Sequence, residues 1–303
     1  MADLVSLIMP VWGPRADWLN QSIEAALAER ACEVELLVID DGSTEPVSEM
    51  ISSDDPRLRI LRIDHGGVAN ARNVATEAAR GNYLRFIDFD DLVEPGSTAR
   101  LLSLVDGRDD LISYGATLFC DENMQPIWKM QSDVQGDAAT ACLLGRFTTR
   151  IHSFLLPRRI CERAGKWDAG LVASSDWDFT LRAFEQASVR GTHDVVYRYR
   201  RHPAGVTANL AEAERTGRHI VDEYFRRHPE LRGTRLERQA QARRLAHIGR
   251  AYATHGQLRK GMGRLVRAAA LDPGSVGVEV TQGFPYAAAL VRRRFLRRGD
   301  DFL

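Results

Sequence analysis

The chain has 303 residues, with 41 Lys or Arg balanced by 41 Asp or Glu. That length holds one large domain or two modest ones with ample core, and the charge balance gives no argument for a nucleic-acid partner. Cys32, Cys120, Cys142 and Cys161 stand far apart, with no C-x-x-C pair and no zinc-finger spacing, which predicts a reduced, cytosolic protein. No apolar run approaches the roughly 20 residues that span a bilayer. Met1-Ala2-Asp3-Leu4 leads almost at once into a strand, without the charged and apolar regions of a signal peptide.

In chain order, Leu4–Val11 (LVSLIMPV) reads as a buried strand running into Trp12-Gly13-Pro14. Leu19, Ile23, Ala26 and Leu27 recur at helical spacing after Asp17, a residue able to cap. Residues 34–39 form a second apolar run ending in Asp40-Asp41-Gly42-Ser43-Thr44, and Leu58–Ile63 a third, followed by Asp64-His65-Gly66-Gly67. Residues 68–79 read as a helix, with Gly81 where a left-handed residue is favoured. The stretch Tyr83-Leu84-Arg85-Phe86-Ile87-Asp88-Phe89-Asp90-Asp91 then turns from apolar to three carboxylates within four residues. Strand alternation predicts that Asp88 and Asp90 point the same way. Two carboxylates converging there repel unless a cation lies between them, and Mg²⁺ or Mn²⁺ suits such oxygen ligands. The plain alternative is a solvated acidic turn. This order of elements predicts an α/β fold, with a mostly parallel sheet covered on both faces and ligands at the carboxyl ends of the strands. Trp12, Asp41, Gly66-Gly67, Asp88 and Asp90 all fall at those ends.

The segments VSLIMPVWG, ELLVIDDGST, HGGVANARNVA and GNYLRFIDFDD, in this order over residues 4–92, resemble the nucleotide-sugar-binding half of a family 2 glycosyltransferase with the GT-A fold. That resemblance implies a Rossmann-like mixed sheet flanked by helices. It implies that Asp41 hydrogen-bonds the nucleobase, usually uracil, and that Pro10 and Trp12 line the base pocket. Asp88 is implied near the ribose and metal, Asp90 on the metal that bridges the donor diphosphate, and Arg72 within reach of the nucleotide. Asp40 and Asp91 are read as supports for their loops. The chemistry agrees, because displacing a nucleoside diphosphate builds charge that a divalent ion neutralises. A core tryptophan at Trp12 and an Asx-type turn at Asp41-Gly42 are the bland alternatives.

Residues 1–105 are read as the nucleotide-sugar half, 106–208 as the acceptor half and 209–303 as an α-helical extension. In the acceptor half, strands are predicted at 111–114 and 151–156, and a short helix at Arg158–Ala164. Family members often carry Glu-Asp-Trp-Asp heading a helix whose Asp is the general base. Here Ser175 stands in place of the Glu, followed by Asp176, Trp177 and Asp178. The resemblance therefore implies Asp176 as the base, against helix capping by Ser174, Ser175 or Asp176. Asp178 is expected to face away. The segment Tyr197-Arg198-Tyr199-Arg200-Arg201-His202-Pro203 resembles the family's terminal strand, whose histidine supplies a further metal or diphosphate contact. His202 would suit Mn²⁺ better than Mg²⁺, or it is a plain exposed histidine. His65, His152 and His193 take a structural reading, with His152 able to face the acceptor.

Beyond residue 208, Leu245, Ile248, Gly249, Tyr252, Gly256, Leu265, Ala268 and Pro273 match one tetratricopeptide-like helix pair, with Gly261 in place of the usual Ala. Residues 286–298 (YAAALVRRRFLRR) set apolar residues beside five arginines, as a peripheral membrane anchor, a capping helix or a self-association element would. The expected function is inverting, metal-dependent transfer of a sugar, from a nucleoside diphosphate sugar (UDP-linked) to a hydroxyl of a saccharide or lipid-linked acceptor. A sugar-nucleotide nucleotidyltransferase and a non-catalytic GT-A-like protein are the alternatives. The glycine-rich basic loop of the former is absent from Pro10-Val11-Trp12-Gly13-Pro14.

Overall fold

The computed structural model describes residues 3–147, 149–171, 173–202 and 209–277. Two compact units emerge: Met1–Cys142 with Phe147–Pro203, and Leu143–Arg146 with Ala204–Leu303. The first unit begins with β1 (Leu4–Val11), α1 (Ala16–Leu27), β2 (Glu33–Asp41), β3 (Leu58–Ile63), α2 (Val68–Ala78) and β4 (Tyr83–Phe86). It continues with β5 (Leu92–Val93), α3 (Ser97–Val105), β6 (Leu111–Cys120), β7 (Pro126–Met130), α4 (Ala139–Leu143), β8 (Phe154–Pro157), α5 (Arg158–Ala164), α6 (Ser175–Phe184) and β9 (Ser188–Arg200).

Nine strands form one mixed sheet in the order β3-β2-β1-β4-β8-β6-β9-β5, with β7 beside β6. β3, β2, β1 and β4 are mutually parallel. β8 runs against both β4 and β6, and β9 runs parallel to β6. The carboxyl ends of β6 and β9 therefore reach the same edge as those of β1, β2 and β4. The halves expected on either side of residue 105 share this sheet. Val5, Leu7, Met9 and Val11 of β1 pack with Leu19, Ile23, Ala26 and Leu27 of α1 and with Leu101 and Val105 of α3. Ile8 and Leu37 are equally buried, which is why these strands read as continuous apolar runs rather than alternating ones. Each such side chain contributes about 1.5–3 kcal/mol of burial.

Several local expectations are corrected. Gly81 is not left-handed; a Cβ there would lie 2.6 Å from the Leu4 carbonyl and 2.7 Å from the Ser6 amide, so close approach to β1 demands glycine. Asp17 pairs with Arg15 in the first turn of α1 instead of capping it. The strand expected at 151–156 opens as a 3-10 turn, Ile151–Ser153, before β8. The strand expected at 111–114 runs on to Cys120, because β9 and the unforeseen β7 supply partners on either side.

The second unit contains α7 (Leu210–Arg227), α8 (Arg235–Thr254) and α9 (Leu258–Leu271). α7 is capped by Asn209, whose side chain accepts the Glu212 amide at 3.1 Å. α8 and α9 cross where a Cβ on Gly261 would come within 2.7 Å of the Gly249 carbonyl, a contact tighter than even alanine allows. Leu210 and Ala213 of α7 pack with Ile248, Ala251 and Tyr252 of α8, and Arg264 of α9 makes a two-point bond to Glu214. Among the described residues no helix is long and apolar enough to cross a membrane. The arginine-rich stretch 286–298 lies outside the described residues.

Candidate active site

β4 ends earlier than the sequence suggests. The Ile87 amide still donates to the Ile8 carbonyl at 2.8 Å. The Asp88 amide then leaves the sheet and donates to the Tyr197 hydroxyl at 2.9 Å, and the Asp91 amide donates to the Asp88 carbonyl at 3.3 Å. Asp88 to Asp91 thus form a turn, and strand alternation does not set their directions. Asp88 places one oxygen 3.3 Å from Arg72 Nη2 and the other 3.0 Å from His152 Nε2. Asp90 lies 2.9 Å from His202 Nε2. Asp91 accepts the Arg200 amide at 2.7 Å through Oδ1, while its buried Oδ2 has no hydrogen-bond partner among the described residues.

The electrostatics of this turn are unbalanced. Burial opposes the charge of Asp88, but His152 and Arg72 outweigh it and hold the carboxyl well below the usual carboxylate range. Burial and then the Asp88 charge push Asp90 up, with His202 opposing. Burial, reinforced by Asp90 and Asp88, pushes Asp91 well above the usual range. One ligand atom each from Asp88, Asp91 and His152 lies within 4.8 Å of the others. Asp91 Oδ2 and His152 Nδ1 lack a hydrogen-bond partner among the described residues, while His152 Nε2 faces Asp88, and a divalent cation would satisfy this group. This donor set of two carboxylates and one imidazole fits such an ion. Of the expected metal residues, Asp88 joins this cluster, whereas Asp90 and His202 pair with each other.

At the nucleotide end, Asp41 is 2% exposed. Its Oδ1 accepts the Gly66 amide at 2.8 Å, and its Oδ2 accepts the Gly67 amide at 2.9 Å and lies 3.0 Å from His65 Nδ1. Asp40 accepts the Ser43 and Val47 amides and Arg62 Nη1, and so fastens the loop after β2. Trp12 is 60% exposed, which excludes a core role, and its ring stacks on His65 at 5.1 Å between centroids. Pro10 is buried within β1 opposite Ile39. Arg72 is buried on α2, with its guanidinium 4.6 Å over the Trp167 ring.

Asp176 occupies the first turn of α6, where its Oδ1 accepts the Trp177 amide at 2.9 Å. Asp178 turns away and forms an ion pair with Arg182 at 2.6 Å. α6 is tied towards the acidic turn by aromatic packing: Phe179 stacks on Trp167 at 4.1 Å, and Trp167 lies beneath Arg72. Asn73 clasps the Trp167 backbone at both its amide (2.8 Å) and its carbonyl (2.9 Å). The ARN segment of α2 therefore holds both Asp88 and the loop before α6.

Sequence reasoning undervalued Asp91, His152 and His65. Asp91 carried a signal, since three carboxylates in four residues cannot all be neutralised locally. His152 sits in the apolar run Ile151-His152-Ser153-Phe154, and only the packing of β8 between β4 and β6 brings it to Asp88.

A family model described as "Glycosyl transferase family 2" matches residues 6–165. An uncharacterized protein of Sinorhizobium fredii is 28% identical over 244 residues, covering 74% of this chain and 26% of that protein. Uncharacterized glycosyltransferases of Rickettsia prowazekii and Bacillus subtilis are each 24% identical, covering 68% of this chain and 66% and 64% of theirs. The chain thus spans from about a quarter to about two thirds of the length of these relatives. Among solved structures, residues 1–349 of S. aureus TarS in complex with UDP-GlcNAc match with a TM-score of 0.58 at 13% identity, over 88% of this chain and 91% of that one. This likeness concerns the fold. With the family model covering more than half of the sequence, the chain belongs to glycosyl transferase family 2.

Proposed function

We propose that the chain transfers a sugar, with inversion, from a uridine diphosphate sugar to a hydroxyl of a saccharide or lipid-linked acceptor in glycan or polysaccharide synthesis. The observation that carries this reading is the buried cluster of Asp88, Asp91 and His152 at the carboxyl edge of the sheet, one strand from the exposed Trp12. A divalent ion, Mn²⁺ or Mg²⁺, supplies positive charge there against the departing diphosphate. Asp88, Asp91 and His152 would hold it, with Asp90 of the same turn and His202, which follows β9 and pairs with Asp90, as further ligands. The imidazoles favour Mn²⁺.

Trp12 and His65 offer the base a stacking surface, and Asp41 accepts a base N–H at Oδ1, beside the Gly66 amide. Uridine is supported by that acceptor and by the fold neighbour whose structure contains UDP-GlcNAc. Arg72 keeps Asp88 ionised and lies where it can reach the nucleotide. Asp176 takes the proton of the acceptor hydroxyl as it attacks, a contribution of about 10²–10⁴-fold. A single base and direct displacement invert the anomeric centre.

Thermal-shift titration with UDP, GDP and dTDP, with and without Mn²⁺, tests this, together with release of UDP from a UDP-sugar without acceptor. The expected result is the largest stabilisation by UDP with Mn²⁺ and slow donor hydrolysis abolished by EDTA. Absence of both responses overturns the reading, and a larger shift with GDP or dTDP overturns the assignment of uridine.

A further inference from the structure

Arg150 immediately precedes the 3-10 turn that carries His152 into the acidic cluster. Its guanidinium carbon lies 5.2 Å from the centre of the Tyr199 ring and 5.6 Å from that of Phe119. Phe119 and Tyr199 are cross-strand partners on β6 and β9, two residues beyond the partners Thr117 and Tyr197 and so on the same face. Tyr197 belongs to the cluster, since it stacks on His152 at 5.2 Å and accepts the Asp88 amide. The Phe119–Tyr199 row is the next step towards the carboxyl edge, where ligands of such sheets bind. Trp128 of β7 stacks on Phe119 at 4.6 Å and extends the row. Burial pushes the Tyr199 hydroxyl up to about 12, with Arg150 opposing and Asp91, Asp88 and Asp90 adding to it. One hydroxyl thus senses both this guanidinium and all three carboxylates.

Other arginines nearby already have acceptors. Arg72 is paired with Asp88, Arg198 with Glu94, and Arg200 with the Asp90 and Glu122 carbonyls and Gln21. Among the described residues Arg150 meets no carboxylate, and its buried Nε has no hydrogen-bond partner. A guanidinium pinned on two aromatic faces is pre-organised for the fork-like recognition of a phosphate or carboxylate. Trp12 follows β1, Asp41 ends β2 and His65 lies in the loop after β3, all on the other side of β4 in the strand order. The donor's base end therefore lies away from Arg150, and the acceptor is left to meet it.

We propose that Arg150 binds a phosphate or carboxylate group carried by the acceptor, so that the protein selects anionic over neutral acceptors. This rests on the glycosyltransferase reading of the acidic cluster. The test uses the full chain saturated with UDP and Mg²⁺, titrated with glucose 6-phosphate, glucuronate and glucose and followed by saturation-transfer NMR. The wild type is expected to bind both anionic probes about tenfold more tightly than glucose. Arg150→Gln should erase that preference and Arg150→Lys retain part of it, with UDP affinity within about twofold of wild type in both. Equal binding of the three probes by the wild type, or a preference that survives Arg150→Gln, overturns the proposal. So does a parallel loss of UDP affinity, which assigns Arg150 to the donor diphosphate. Failure of UDP to bind the wild type defeats instead the donor reading beneath it.

Discussion

Two pairs of adjacent aspartates end parallel strands of this sheet or follow them, and their surroundings are opposite. At the end of β2, Asp40 and Asp41 are both almost fully buried, yet each carboxylate accepts backbone amides from its own or the next loop. Burial works against the charge of Asp40, but the Ser43 amide and hydroxyl, the Val47 amide and Arg62 outweigh it and hold its carboxyl below the usual range. In the turn after β4, Asp91 has one amide for Oδ1, and Asp90 and Asp88 crowd it, with the Arg200 amide and the Tyr197 hydroxyl only partly offsetting them. The charge of the first pair is offset within the folded chain, with Asp40 fastening its own loop and Asp41 holding the loop after β3. At the second, a proton on Asp91 or a divalent ion would offset the crowding of the carboxylates, and that sets it apart from the first.

Breaking the turn that carries the second pair should have the largest effect. Asp91→Ala or Asp88→Ala removes a ligand from the cluster, and donor turnover should fall on the order of a thousandfold. A steady-state assay of UDP release checks this, and turnover within tenfold of wild type would show that the cluster is not the metal seat. Next comes the base. Asp176→Asn keeps the shape and an oxygen for the Trp177 amide but cannot take a proton. The kcat should fall on the order of a hundredfold while UDP binding persists, with Asp178→Asn milder. Near-wild-type turnover of Asp176→Asn would reduce Asp176 to a structural residue of α6.

The first pair should answer through stability instead. Asp40→Asn leaves the Val47 amide and Arg62 with a poorer acceptor and should cost about 2 kcal/mol in denaturant unfolding. Because the folded carboxyl of Asp40 lies below the usual range, the unfolded chain binds more protons as pH falls. The stability from Asp40 is thus fully present above the unfolded value of about 4 and is lost as pH falls through the lower folded value. Asp40→Asn should flatten that acid limb, and an unchanged limb would assign it to other carboxylates. Smaller still, Trp12→Ala should weaken UDP binding about tenfold by removing the stacking surface, without lowering the melting temperature, since the ring is largely exposed.

The same contrast explains what could be read from the chain itself. The parallel strands, the aspartates at their ends and the short helix at Arg158–Ala164 were legible, because burial on both faces writes them as continuous apolar runs with polar stops. Asp41, Asp88 and Trp12 follow from that pattern. Where β4 ends was not legible, since the Asp88 amide is drawn out of the sheet by Tyr197, 109 residues away. The pairing of Asp88 with His152 was hidden for the same reason: β8 enters between β4 and β6 only in the folded sheet. Gly81 looked like a helix stop because local signals favour that use of glycine. The actual requirement, contact with the β1 backbone, is tertiary.

The contrast between the two aspartate pairs comes down to whether the turn after β4 holds a divalent ion through Asp88, Asp91 and His152. Isothermal titration of Mn²⁺ into the UDP-saturated full chain measures this directly, with Asp91→Asn, His152→Ala and Asp40→Asn alongside the wild type. The expected result is Mn²⁺ binding weakened at least about tenfold by Asp91→Asn and by His152→Ala, and unchanged by Asp40→Asn. Mn²⁺ binding of wild-type strength in both Asp91→Asn and His152→Ala would contradict it.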